Sequence, residues 1–259
     1  MNLPVPLEQL IQRFDAPGVH ALVLMGSYAR GEAGPFSDID VVRLTDGSEL
    51  PGAGSYLVDG YLVVVSDVAP GRVERWFSDP EVTTDTIMGA RRAQALLDRD
   101  GYFSGIQAHA RAFVWDQTMQ ARANHQASAM LVGWIEEVHK GLAGLQHNDI
   151  GRLLNARHGL SWGLGRVMKV HRGILMSGDN AFYEELSRAM GKQSEWVQLL
   201  RTAFGIESEE GKALILGEQV RAGLRLYILT AELLAPVLRM EDRPLITHTA
   251  QLIRETLDM

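Results

Sequence analysis

Leu22-Val23-Leu24-Met25-Gly26-Ser27-Tyr28-Ala29-Arg30-Gly31 and, after four intervening residues, Phe36-Ser37-Asp38-Ile39-Asp40-Val41-Val42 decide how this chain is read. The apolar run 19–25 reads as a buried strand that Gly26-Ser27 brings to an end. A strand ending in Gly-Ser allows close backbone approach and offers a hydroxyl beside free N–H groups, which suits a phosphate. Asp38 and Asp40 stand two apart at the start of a second strand, 39–44, so their carboxylates share a face while Ile39 and Val41 point the other way. Two carboxylates on one face beside a phosphate cradle make a site for a hard cation, with Mg²⁺ bridging protein and triphosphate oxygens.

Sheet signals continue on both sides of this stretch. A short amphipathic helix is expected at 7–14, before Pro17-Gly18, and Asp59-Gly60 between the apolar runs 55–58 and 61–65 is a two-residue hairpin signal. A short helix is expected at 72–77 and a last strand at 95–98, before Arg99-Asp100-Gly101. Beyond that point the periodicity is helical, over 103–122, 126–145, 150–176, 181–190, 194–204, 211–239 and 245–257. Ala213, Leu216, Val220, Leu224, Tyr227, Ala231 and Leu234 line one face of the sixth helix, as a bundle core requires. The expected fold is α+β, with a small mixed sheet domain over 1–102 and an α-helical bundle over 103–259.

Composition narrows the chemistry. At 259 residues, with 46% hydrophobic and 22% charged, the chain has the make-up of a folded globular protein. It has no cysteine, which removes disulfide scaffolds, thiol nucleophiles and cysteine-ligated metal centres. The amino terminus MNLPVPLEQL has no signal-peptide pattern, and no run of about 18 residues is both apolar and uncharged, so a cytoplasmic protein with no membrane partner is expected. The net charge of −7 is carried by residues 1–100, with 8 basic against 15 acidic residues; residues 101–259 balance at 17 of each. Such a balance argues against a whole-protein grip on nucleic acid and leaves room for a metal ion or a cationic substrate near the first part.

The Gly-Ser and Asp-x-Asp pair, at this spacing and between two apolar strands, resembles the signature of the DNA polymerase β-like nucleotidyltransferase superfamily. The resemblance implies Mg²⁺ held by Asp38 and Asp40, with Gly26, Ser27, Ser37 and Arg30 holding the triphosphate. Most members of that superfamily carry a third acid in a neighbouring strand. The corresponding run here, Tyr61-Leu62-Val63-Val64-Val65, holds none; Asp59 belongs to the turn and Asp67 lies past the expected strand end. The junction at 95–110 and the helix after it look like those of kanamycin-type aminoglycoside nucleotidyltransferases, in which a second-domain helix supplies a glutamate base and, four residues on, a lysine for the nucleotide. Glu136 and Lys140 stand at that spacing, with Glu137 beside them, and residues i and i+4 share a helix face. The resemblance thus implies transfer of AMP, or another nucleoside monophosphate, from a nucleoside triphosphate (ATP in the simplest case) to a hydroxyl of a small cationic, aminoglycoside-like acceptor. That chemistry would confer antibiotic resistance, and a homodimer fits the same resemblance.

Other motifs point elsewhere. Gly159-Leu160-Ser161-Trp162-Gly163 matches a hydrolase nucleophile elbow but falls inside an expected helix, where that elbow cannot form. No P-loop, dinucleotide fingerprint or zinc-protease motif is present. Arg152 to His158 and Arg166 to His171 resemble the Arg-x(4–6)-His ribonuclease signature of HEPN domains, which leaves a toxin–antitoxin nucleotidyltransferase acting on tRNA or a protein as an alternative. The missing strand acid leaves another, a nucleotide-binding module without turnover. Between 150 and 177 the chain carries Arg152, Arg157, Arg166, Lys169 and Arg172 and no acid, the pattern of a basic helix face.

Overall fold

The computed structural model describes residues 3–48, 52–206 and 215–257, and its architecture is α+β, a small mixed sheet followed by helices. Alternating apolar side chains build the sheet. In β1 (Val19–Leu24) Leu22 and Leu24 enter one buried cluster and Ala21 and Val23 the other, as a period of two requires. A register shift between Val19 and Ala21 returns Val19 to the side of Leu22. After the single turn α2 (Gly26–Arg30), β2 (Ile39–Thr45) repeats the alternation, with Ile39 and Val41 on the first face and Val42 and Leu44 on the second.

One compact unit comprises Met1–Trp115 with Leu175–Ala181. Its remaining strands are β3 (Gly54–Val58), β4 (Tyr61–Val68) and β5 (Gln94–Asp98), and the sheet order is β3-β4-β2-β1-β5. Strands β2 and β4 run parallel; the other neighbours are antiparallel. Helix α1 (Leu7–Phe14) buries Leu10 and Phe14 against the first face. Helices α3 (Pro70–Ser78), α4 (Pro80–Arg92) and α5 (Tyr102–Ala112) cover part of the second with Trp76, Ile87 and Phe103.

Helix α4 is absent from the sequence expectations, although its start is written plainly: Asp79 accepts the amide N–H groups of Glu81 and Val82, and Pro80 occupies the first turn. The helix expected over 103–122 is two helices. Phe113 leaves helical geometry, Arg91 donates to the carbonyls of Ala110 and Phe113, and Asp116 caps a new start by accepting from Met119 N. Helix α5 therefore stays with the sheet, and the division of the chain falls after Trp115. Residues 175–181 return to the same unit, where Met176 N donates to Thr84 O at 2.8 Å.

The second unit comprises Asp116–Ile174 and Phe182–Met259. Its helices are α6 (Gln117–Gly133), α7 (Ile135–His147), α8 (Ile150–His171), α9 (Phe182–Met190), α10 (Glu195–Phe204), α11 (Leu216–Leu234) and α12 (Arg243–Thr256). Helix α8 packs against α6, α7, α10 and α11. The expected single helix 126–145 is broken at Trp134, whose indole fills the space over Gly163; a Cβ at Gly163 would lie 2.2 Å from the ring. Residues 207–214, including Ala213 of the expected apolar stripe, lie outside the described residues. The rest of that stripe from Val220 onward is buried. No described helix is long and apolar enough to cross a membrane.

Candidate active site

The site begins where β1 ends. Met25 N donates to Asp40 O at 2.9 Å, which holds the end of β1 against the start of β2. Gly26 follows with φ +64°, and a Cβ built there would lie 1.9 Å from Asp40 Oδ2. Only a residue without a side chain lets the backbone sit this close to the carboxylate. Ser27 occupies the first turn of α2, and its hydroxyl has no protein partner among the described residues.

Asp38 and Asp40 lie on the same face, that of Val42 and Leu44. Neither carboxylate accepts a hydrogen bond from the described residues. Burial pushes the Asp40 carboxyl above its ordinary range, the neighbouring charge of Asp38 adds to this, and Arg30 opposes it. Two adjacent carboxylates without donors, one of them burdened by burial and by its neighbour, are a donor set that a divalent cation would relieve. The missing side chain at Gly26 lets the start of α2 stand directly against the Asp40 carboxylate, which is consistent with that fit. Among the described residues no group of three or more His, Asp or Glu is placed to hold an ion.

The remaining residues expected in the first unit are more constrained. Arg30 Nε pairs with Glu32 at 2.6 Å, and its guanidinium lies 3.6 Å from where a Gly178 Cβ would stand. Ser37 closes a tight turn, donating its N–H to Gly34 O at 3.1 Å while its Oγ accepts from Gly34 N at 2.9 Å.

The strand register shows what stands in the third-acid position. Asp40 is aligned with Val64 and Ile39 with Val63, and continuing the parallel register by one residue sets Leu62 level with Asp38. Asp67 lies inside β4, not beyond it, and is paired with Arg43 on the opposite face through bonds of 2.6 and 2.8 Å. Asp59 sits in the hairpin turn with φ 50°, accepting from Gln9 at 3.4 Å. One acid the sequence reading did not single out, Asp179, belongs to the returning segment, and its charge also raises the Asp40 carboxyl. Nothing local in the sequence marks it, because a tertiary return brings it near.

Glu136 and Lys140 belong to the second unit, on α7. Lys140 Nζ bonds both Glu136 (2.9 Å) and Glu137 (2.8 Å), with Glu137 the larger influence in raising the ammonium's pKa. Glu136 is 77% exposed and Glu137 17%. Glu137 packs against Gly159, where a Cβ would lie 2.6 Å from its Cγ, and its Oε2 is buried without a partner. With His139, Ala143, Arg152 and Asn155, Glu136 and Lys140 line a hollow of about 470 Å³.

The decoys resolve. Ser161 is buried within α8 and donates to Arg157 O, so no elbow forms. Lys169 is buried rather than on a solvated basic face. His171 Nδ1 lies 3.0 Å from Asn124 Oδ1, and burial, helped by the charge of Arg172, lowers the pKa of its imidazole.

Residues 7–80 match the family model described as nucleotidyltransferase domain, which spans Gly26, Ser27, Asp38 and Asp40. A crystal structure of a nucleotidyltransferase-like protein from Exiguobacterium sibiricum 255-15 shares the fold at a TM-score of 0.51 and 13% identity, covering 89% of this chain and 75% of that one. No curated protein matches the chain in sequence.

Proposed function

We propose that the protein is a Mg²⁺-dependent nucleotidyltransferase that moves AMP, or another nucleoside monophosphate, from a nucleoside triphosphate to a hydroxyl of a small cationic, aminoglycoside-like molecule, releasing pyrophosphate. The observation that carries this reading is Gly26 pressed against an Asp40 carboxylate that shares its face with Asp38, within the segment that matches the nucleotidyltransferase domain. Asp38 and Asp40 would hold Mg²⁺, which when bound supplies charge neutralisation to the triphosphate and a template for in-line displacement.

The chain's own groups do the rest. Gly26 gives the backbone clearance, and Ser27 offers its hydroxyl and the α2 amides to phosphate oxygens. Arg30 faces the same field and adds positive charge, while the turn closed by Ser37 sets the entry to Asp38. Glu136 takes the acceptor proton and Lys140 neutralises developing charge; these two roles rest on the resemblance in sequence. The Val64 and Leu62 positions favour a second reading, binding of nucleotide without turnover. Incubation with each α-labelled nucleoside triphosphate, against an aminoglycoside panel and total tRNA, decides. Labelled small molecule supports transfer as proposed, labelled tRNA moves the acceptor to nucleic acid, and Mg²⁺-dependent binding with no labelled product leaves the binding module.

A further inference from the structure

The second sheet face is only partly covered by helices. Val42, Leu44 and Val68 on that face are buried beneath α3, α4 and α5. At its other end the same face carries Asp38, Asp40, Val64, Leu62 and, across the hairpin, Leu57, which pairs with Leu62. Leu57 is 73% and Leu62 47% exposed. Phe36, two residues before Asp38 at the tip of the Gly34–Ser37 turn, is fully exposed. Where a further metal-binding acid would stand, this chain has an uncovered apolar shelf.

We infer that this shelf, Leu57 and Leu62, together with Phe36 two residues before Asp38 in the chain, binds an apolar face of the acceptor. The acceptor is then a hydroxyl-bearing small molecule with a hydrocarbon or ring face next to the reacting hydroxyl. The inference rests on the nucleotidyltransferase reading and follows from the strand order. Gly26 and Ser27, at the end of β1, hold the phosphates that leave as pyrophosphate, and Asp38 and Asp40 on β2 come next. In-line displacement sets the attacking oxygen opposite the leaving group, which is the side of β4 and β3. The acceptor oxygen forms the new P–O bond, the bond to pyrophosphate breaks, and the hydroxyl proton is taken up by a carboxylate base. The area also fits a small molecule. The three side chains expose on the order of 400 Å², about half of the roughly 800 Å² per partner in a stable protein interface.

The test uses methyl, hexyl and octyl β-D-glucosides, which keep one set of hydroxyls while the apolar part grows. Binding to the full chain is measured by calorimetry below micelle-forming concentrations, with Mg²⁺ and a non-hydrolysable ATP analogue present. The wild-type chain is expected to bind the octyl compound about tenfold or more tighter than the methyl compound. In Leu57→Thr/Leu62→Thr, and separately in Phe36→Ser, that ratio should fall below about threefold. All these side chains are exposed, so unchanged thermal midpoints will show that the fold is kept. No measurable octyl glucoside binding, equal affinities along the series, or a chain-length dependence that survives in the variants overturns the inference. Binding of the ATP analogue, measured on its own, separates the two readings: its absence in wild type refutes the nucleotidyltransferase assignment, while its presence with a flat glucoside series refutes only the shelf.

Discussion

Gly26→Ala places a methyl group where the structure has no room. Two costs can be worked out separately. At φ +64° a left-handed backbone costs a non-glycine residue about 1–2 kcal/mol. The new Cβ would stand 1.9 Å from Asp40 Oδ2 and 2.9 Å from its Cγ, so the carboxylate must swing aside, an overpacking cost of about 1–3 kcal/mol. The sum is about 2–5 kcal/mol, with each kcal/mol worth about 2–4 °C in a chain of this size. Gly31→Ala is the control, because Gly31 has φ +70° with nothing within 4 Å of its Cβ position; it should cost only the backbone part. Thermal unfolding of both variants measures the difference, and calorimetry with Mg²⁺ and a non-hydrolysable ATP analogue should show at least a tenfold loss of affinity in Gly26→Ala alone. The reasoning fails if the two variants are equally stable, or if Gly26→Ala binds the nucleotide like wild type.

Asp38→Asn with Asp40→Asn should abolish Mg²⁺-dependent pyrophosphate release. Asp40→Asn alone should raise the stability of the metal-free protein at neutral pH, read as a higher thermal midpoint, because a carboxyl whose pKa is raised by burial and by Asp38 costs stability as pH rises through its folded pKa. Glu136→Gln should spare binding of the ATP analogue and cut transfer by about 10²-fold or more; if Glu137→Gln has that effect instead, the partnerless Glu137 Oε2 marks the functional glutamate. Asp67→Asn should cost about 1.5–3 kcal/mol by removing the charge from the two bonds that Asp67 makes to the Arg43 guanidinium, yet leave nucleotide affinity unchanged, as a metal ligand would not. His171 has its pKa lowered in the folded state, so its contribution to stability is full above about pH 6.5, the unfolded value, and is lost as pH falls through the folded pKa; thermal midpoints from pH 8 to 5 should fall less in His171→Gln.

Much of the sheet was legible because its signals are local. Strands 19–25, 39–44 and 61–65 were expected close to where β1, β2 and β4 stand, since each is an apolar run bounded by glycine or a turn residue. The Asp38 and Asp40 pair shares a face for the same reason: a period of two needs no tertiary information. Helix breaks were less visible. Phe113–Asp116 and Trp134 interrupt apolar periodicity that continues through them, and the breaks come from Arg91 reaching the carbonyls of α5 and from an indole filling the gap over Gly163. These are contacts between elements distant in sequence.

The sequence alone determined the local geometry at the end of β1, because a Gly-Ser end and two acids spaced by two residues carry their placement in the backbone's own periods. Only the tertiary structure decided what surrounds that pair. Strand pairing set Val64 and Leu62 beside the carboxylates and turned Asp67 to the opposite face against Arg43, and a returning segment brought in the charge of Asp179. A register is a relation between two strands, and one step of it moves every side chain to the other face. No reading of either strand by itself contains that relation.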